Sequence, residues 1–285
     1  MKKLLLLKTM KKLLLILLCV PLIGLGQGWE KTYGGIENDM GYSVQQTTDG
    51  GYIIGGMTNS SGNGLADVYV VKTDDSGNQE WDNTFGGIND DYANCIQQTS
   101  DGGFIIIGGT WSFGNGYDDV YLIKIDGNGN EMWNQTFGGV SYDGGFSVQQ
   151  TLDGGYILAG GTFSIGNGGN DVYLIKTDSN GNELWNQTFG GNGDDRGNSV
   201  QQTSDGGYII GGFNLSSLNG DPDIYLIKTD GNGSINSTFN IPKPNQNKEI
   251  LKITDVLGRE ANEERNTPLF YIYNDGTVEK KIIIE

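Results

Sequence analysis

Histidine is absent from the 285 residues. That removes the commonest general base and the commonest metal ligand. Cysteine occurs twice, at Cys19 and Cys95, too few for a disulfide framework or a cysteine-built zinc site. Basic residues are scarce: 18 Lys and Arg stand against 35 Asp and Glu, a net charge of −17. A surface of that sign repels nucleic acid and anionic lipid. It favours cations, Ca²⁺ above all outside a cell. The apolar run from Leu13 to Leu25 is too short for a comfortable membrane span.

What is present begins with an address. Residues 1–26 combine a lysine-rich start, the apolar run, and Gly24 and Gly26 placed where signal peptidase wants small residues before Gln27. We expect a cleaved export signal and no permanent membrane span. Removing its five lysines takes the net charge of the remaining chain to −22.

From there one sentence is written four times. Trp29, Trp81, Trp133 and Trp185 fall 52 residues apart, as do Tyr69, Tyr121, Tyr173 and Tyr225. A fixed period of this size means one supersecondary unit copied and stacked. Each unit holds four β-rich runs, A to D, separated by turn residues. In the first unit these are Tyr42–Thr47, Tyr52–Met57, Asp67–Thr73 and Glu80–Phe85. Asp-Gly-Gly joins A to B at 49–51, 101–103, 153–155 and 205–207, supplying the positive φ of a tight hairpin. Turns such as Asp126–Asn130 join C to D, and links of about ten residues join B to C. A four-stranded antiparallel meander copied about an axis is a propeller blade. The expected fold is therefore all-β: a four-bladed β-propeller over 27–240, a linker at 241–248 and a C-terminal β segment at 249–285. A stacked β array is the alternative.

Closure of four blades needs a device. The fourth unit ends in Ser234–Phe239, short and without its Trp, while Trp29–Tyr33 has the Trp but no A, B or C before it. We expect Trp29–Tyr33 to complete or cap the last blade, and the closed disc to be a monomer. Gly56, Gly108, Gly160 and Gly212 recur in mid-strand, where glycine marks a close backbone approach or a bulge; close packing between blades is the expectation. The Gln pairs, Gln45-Gln46 and their copies, are placed to bond neighbouring blades.

A meander puts the near-identical A–B and C–D turns at one end and the variable B–C links at the other. Variable loops on a repeated frame are where repeat proteins bind. The expected binding face is Trp111, Phe113, Tyr117, Phe163, Ile165 and Leu215, either as contacts for a ligand or as pins that hold the links to the blades. Asp39, Asp91, Asp143 and Asp195 recur at the same end. A ring of four carboxylates would hold Ca²⁺ or Na⁺; the plainer alternative is that each caps its own crossing turn.

Other motifs point to structure. The Asp126-Gly-Asn-Gly-Asn turn begins like a calcium loop, but Phe137 stands where a bidentate Glu is needed. Cys95 fills the slot of Ser43, Ser147 and Ser199, a small packing position with no base beside it.

The hydrophobic-Gly-Gly run followed by a Tyr and a Trp resembles kelch propeller repeats. The tail, with Val256-Leu257-Gly258-Arg259, the strand Phe270-Tyr271-Ile272-Tyr273, a turn at Asn274-Asp275-Gly276 and the closing Lys280-Lys281, resembles the C-terminal sorting domain of the Bacteroidetes type IX secretion system. That resemblance implies export across both membranes, with the type IX machinery as a partner and Leu257, Gly258, Arg259, Tyr271, Tyr273, Gly276, Lys280 and Lys281 as the sorting residues. The expected function is a secreted or surface-held binding module for an extracellular glycan or protein. A glycan-cleaving enzyme using Asp90, Asp118, Asp194 or Asp221, and a matrix protein without a ligand, are the alternatives.

Overall fold

The computed structural model describes residues 28–215, 221–235, 250–255, 258–262, 268–273 and 278–281. The export segment 1–26, the linker 241–248 and most of Ser234–Phe239 lie outside the described residues. The chain divides into two compact units, Met1–Ser234 and Ile235–Glu285.

All regular structure in the described residues is β-strand. The first sheet holds β1 (Asp39–Gln46), β2 (Tyr52–Thr58), β3 (Asp67–Thr73) and β4 (Gln79–Phe85). The second holds β5 (Asp91–Gln98), β6 (Phe104–Thr110), β7 (Asp119–Ile125) and β8 (Glu131–Phe137). The third holds β9 (Asp143–Gln150), β10 (Tyr156–Thr162), β11 (Asp171–Thr177) and β12 (Glu183–Phe189). The fourth has three strands, β13 (Asp195–Gln202), β14 (Tyr208–Asn214) and β15 (Asp223–Thr229). Each sheet is an antiparallel meander in chain order, one repeat to one sheet.

Side chains fold the hairpins. At the A–B turn, Asp49 accepts from the Thr47 hydroxyl and from the Gly51 amide, and Gly50 takes φ +92°. At the C–D turn, Asp126 accepts from the amides of Asn128 and Asn130 at 2.8 and 2.9 Å, a side-chain copy of a backbone turn. Asp74, Asp178 and Asp230 do the same in their own sheets.

The mid-strand glycines have a different origin from the one expected. A Cβ on Gly108 would lie 1.7 Å from the carbonyl oxygen of Tyr92, in the adjacent strand of the same sheet. Gly56, Gly160 and Gly212 meet the carbonyls of Met40, Gly144 and Arg196 in the same way. In every sheet a register shift falls at this place, between Gly41 and Ser43 in the first. The close approach is therefore a β-bulge within each sheet, not packing between blades.

Successive sheets stack face to face through three apolar layers. Ile53, Val68 and Val70 of the first sheet meet Ala93, Ile96 and Ile106 of the second. Ile105, Ile107, Val120 and Leu122 meet Val148 and Leu158 of the third. Ile157, Ala159, Val172 and Leu174 meet Val200 and Ile210 of the fourth. The Gln pairs bond neighbouring sheets: Gln45 Oε1 accepts from Gln98 N at 2.6 Å, and Gln98 Oε1 accepts from Thr48 N at 2.9 Å. Gln149, Gln150 and Gln202 repeat the pattern.

Among the described residues the ends of the series are not joined as its interior neighbours are. β1, β5, β9 and β13 pack one on the next, but β13 does not pack on β1 in that manner. β1 is largely exposed where β5 and β9 are half to fully buried. The closure expected of four quartets is thus not seen among the described residues. Among the described residues the segment Trp29–Tyr33 has no strand pairing, and it lies against the first sheet. Trp29 sets its ring edge on Tyr52, centroids 5.7 Å apart, and the Tyr33 hydroxyl donates to Gly77 O at 2.8 Å. Trp81, Trp133 and Trp185 stand in the same way on Phe104, Tyr156 and Tyr208 of the sheet that follows each. Trp29 therefore occupies the place of a fourth strand belonging to a sheet before the first.

The second unit is a three-stranded antiparallel meander of β16 (Ile250–Thr254), β17 (Leu269–Tyr273) and β18 (Val278–Lys281). Leu269, Tyr271 and Tyr273 form its small core with Ile253 and Ala261.

Candidate functional site

The variable end of the sheets is built by pairing each B–C link with the crossing that enters its own sheet. The Trp111 amide donates to Asp90 O at 2.9 Å, Phe163 N to Tyr142 O at 2.9 Å and Leu215 N to Asp194 O at 3.0 Å. Crossings are tied to the preceding sheet too: Asp91 N donates to Ala66 O, Asp143 N to Asp118 O and Asp195 N to Asn170 O. Glycine is required there by space. A Cβ on Gly138 would fall 1.9 Å from Asp119 Oδ1 and 2.5 Å from Asp143 Oδ2, so the crossing threads between two buried carboxylates.

The four recurring carboxylates each serve their own crossing. Asp39 accepts from Gly35 N, Ser60 Oγ and the Thr58 hydroxyl. Burial opposes its ionisation, but these donors hold its pKa below the ordinary value. Asp91 accepts from Gly87 N at 2.8 Å and Ser112 Oγ at 2.7 Å, Asp143 from Gly139 N and Ser164 Oγ, and Asp195 from Gly191 N and Leu215 N. Among the described residues no three His, Cys, Asp or Glu side chains are grouped to hold a metal.

The loop aromatics do come together. Tyr117 stacks on Tyr142, centroids 4.8 Å apart and planes 11° from parallel. Trp111 presents its edge to both, at 5.6 Å from Tyr142 and 6.3 Å from Tyr117. All three rings are about half exposed. Trp111 and Tyr117 come from one link, while Tyr142 comes from the crossing into the third sheet. Sequence reasoning missed Tyr142 because it lies on the crossing, outside the B–C links taken as the variable loops. Phe113 packs on Tyr121, with ring centroids 5.6 Å apart. Phe163 and Ile165 are half exposed on the next link, and Leu215 is partly buried on the last. Phe113 is thus about as exposed as Trp111, while one side of its ring rests on its own sheet.

The carboxylates considered for catalysis are engaged in holding loops. Asp90 Oδ1 accepts from Ala66 N at 3.1 Å and Asp194 Oδ1 from Asn170 N at 2.9 Å. Asp118 is buried and receives the Tyr92 hydroxyl at 2.5 Å. Burial pushes its pKa up to about 6, with Asp119, Asp143 and Asp91 adding to the rise. Asp119 is likewise pushed to about 6 by burial. Asp221 lies exposed on the last link.

Cys95 receives a backbone hydrogen bond from Val148, in the role that Ser43 plays for Ile96 and Ser147 for Val200. Burial pushes its thiol pKa up, the reverse of what a nucleophile needs.

Of the tail residues, Arg259 pairs with Asp255 at 2.7 Å across a turn in which Gly258 takes φ +79°. Tyr271 and Tyr273 are buried, and the Tyr273 hydroxyl donates to Glu279 at 2.8 Å. Lys280 is exposed on β18, Lys281 pairs with Leu269, and Leu257 and Gly276 lie outside the described residues.

No family model matches the chain. The regulatory protein FlaEY of Caulobacter vibrioides is 28% identical over 147 residues, an alignment covering 44% of this chain and 15% of that protein. The chain thus spans about a seventh of that relative's length. A crystal structure of Sqt1 from Chaetomium thermophilum aligns with 85% of this chain and 81% of its own at 10% identity and a TM-score of 0.28.

Proposed function

We propose that the protein is a secreted, non-catalytic binding module of propeller-type blades that holds an extracellular glycan on the aromatic cluster of its second and third sheets. The observation that carries this reading is the Tyr117–Tyr142 stack with Trp111 across its edge, half exposed at the end where the repeats differ. Rigid aromatic faces offer contact area at little entropic cost, and the apolar C–H faces of a sugar ring fit such a surface. Asn89, whose side-chain amide donates to Trp111 O at 2.9 Å, fixes the platform from below. Of the carboxylates nearby, Asp90 accepts a loop amide and Asp118 is buried under the Tyr92 hydroxyl, which favours binding over hydrolysis.

The export part of the reading rests on the lysine-rich apolar start and on the tail, whose buried Tyr271 and Tyr273 give its strands a core of their own. Type IX machinery is the partner this tail would meet.

The test is a glycan array probed with purified protein, with and without Ca²⁺. A hit that weakens at least tenfold in Trp111→Ala supports the reading. Binding that survives Trp111→Ala and Tyr142→Ala together, or a protein ligand in place of a sugar, overturns it.

A further inference from the structure

The first and fourth sheets carry the two unmatched halves of an interface that the chain already uses three times. On the receiving side, Ile96, Val148 and Val200 are 1%, 0% and 4% exposed, each covered by the sheet before it; their counterpart Val44 is 66% exposed. On the delivering side, the pairs Val68/Val70, Val120/Leu122 and Val172/Leu174 are at most 1% exposed, while their counterparts Ile224 and Leu226 are 95% and 68% exposed.

The socket is preformed. A Cβ on Gly197 would meet Ile210 of its own sheet at 3.1 Å and Val172 of the preceding sheet at 3.2 Å. At the matching Gly41, the only neighbour within 4 Å among the described residues is Ile54 of its own sheet, at 3.1 Å. In place of the missing valine there is a cavity of about 290 Å³, lined by Tyr33, Met40, Gly41, Ile54, Tyr69 and Val71. The polar ladder stops at the same two places. Ser43 and Gln45 serve the amides of Ile96 and Gln98, and Ser147 and Gln149 those of Val200 and Gln202. Their counterparts Ser199 and Gln201 are exposed. Trp29–Tyr33 already stands where a preceding sheet's fourth strand belongs.

We propose that a second copy of this chain docks here, head to tail, seating its Val44 face on Ile224 and Leu226 of the first copy. Continuity with the interior interfaces fixes the register. Ser199 Oγ accepts from Val44 N of the incoming copy, and Gln201 Oε1 from Gln46 N. Ile224 of the first copy fills the socket at Gly41, as Val172 does at Gly197. The contact joins two different patches, so it closes into a ring where the rotation allows and otherwise grows as an array. It needs neither the glycan nor the aromatic cluster, and it replaces the monomer expected from a closed four-blade disc.

The experiment measures the mass of the purified protein by sedimentation and light scattering over a range of concentrations. A defined dimer, or a series growing with concentration, supports the proposal. Val44→Asp and Leu226→Asp should each be monomeric alone, because every self-contact then includes a damaged half. Mixed in equal amounts they should pair one to one, since one intact half survives on each partner. Wild type that stays monomeric at all concentrations overturns the proposal, and a Val44→Asp melting drop in that monomer would assign the two faces to each other within one chain. Failure of the mixed variants to pair overturns it as well. Should either variant lose its β-sheet circular dichroism, Ser199→Lys and Gln46→Lys on the exposed ladder ends make the same complementary pair.

Discussion

Lys124 and Asp101 meet at 3.1 Å where the A–B hairpin folds over β7, with the lysine side chain 3% exposed. The ammonium also donates to Ile125 O at 3.0 Å. Lys72–Asp49 and Lys176–Asp153 repeat the pair at 2.9 and 3.0 Å. In the fourth sheet Lys228–Asp205 keeps the distance, 2.9 Å, but the lysine is 43% exposed. Removing the acid in the interior leaves a buried charge without its partner. Asp101→Asn should therefore cost about 2 kcal/mol, below the range for fully buried pairs because the acid itself is half exposed. Asp205→Asn should cost clearly less, because both partners of that pair are exposed. Urea denaturation of the two variants compares them, and equal losses would refute a role for burial.

The pH dependence of stability has two opposing limbs. Hydrogen bonds from Thr47 and Lys72 hold Asp49 at about 2, and Asp101 sits at about 2 despite burial, through Thr99, Gly103 and Lys124. Both lie below the ordinary 3.8, so their contribution is complete above about pH 4 and is lost as the pH falls toward 2. Asp118 and Asp119 run the other way. Their pKa values of about 6 lie above 3.8, so the fold is favoured below about pH 4 and loses that advantage as the pH rises through 6. Melting temperature should peak between about pH 4 and 5.

Asp118→Asn isolates the upper limb. The third repeat already holds an amide at the matching place, Asn170. The variant should gain about 2 kcal/mol at pH 7.5, some 5 °C in melting temperature, and little at pH 4. An equal change at both pH values would show that charge is not the cause.

Two glycines separate space from backbone conformation. Gly108→Ala drives a Cβ into the Tyr92 carbonyl and should cost about 3 kcal/mol or more. Gly102→Ala meets nothing within 4 Å but must hold φ +84°, a cost of about 1 kcal/mol. Thermal melts in parallel distinguish them.

Trp29→Ala removes the ring from Tyr52 and should lower stability by about 1–2 kcal/mol, less than for a fully buried tryptophan. A change of that size, read from chemical denaturation, would place the segment in the folded unit. No change would release it.

Within one repeat the sequence was nearly transparent. Run C, Asp67–Thr73, matches β3 residue for residue, and the others differ by one to three residues at an end. Asp-Gly turns and alternating apolar residues are local signals, and local contacts follow from them. The bulge opposite Gly108 left only a glycine to read, which is why the close approach was assigned to the wrong neighbour. The pairing of Lys124 with Asp101 is 23 residues long and shows no pattern until the hairpin is folded. Two of the three rings of the aromatic cluster were visible in the Trp111 link, but Tyr142 reaches it only because the crossing passes beside that link. Whether Val44 is covered depends on a contact between opposite ends of the repeat series, and identical repeats read the same whether or not they meet.

Hydrogen bonds such as Ser43 to Ile96 and Ser147 to Val200 span 53 residues, one period plus one. The first and third joints are consequently written by the same letters, and the middle one differs by Cys95 standing for the serine. Excising one interior quartet, or splicing in another, would confront each cut surface with a partner it already recognises. The length of such a chain can thus change by whole units at the level of the gene, without any new contact having to be invented.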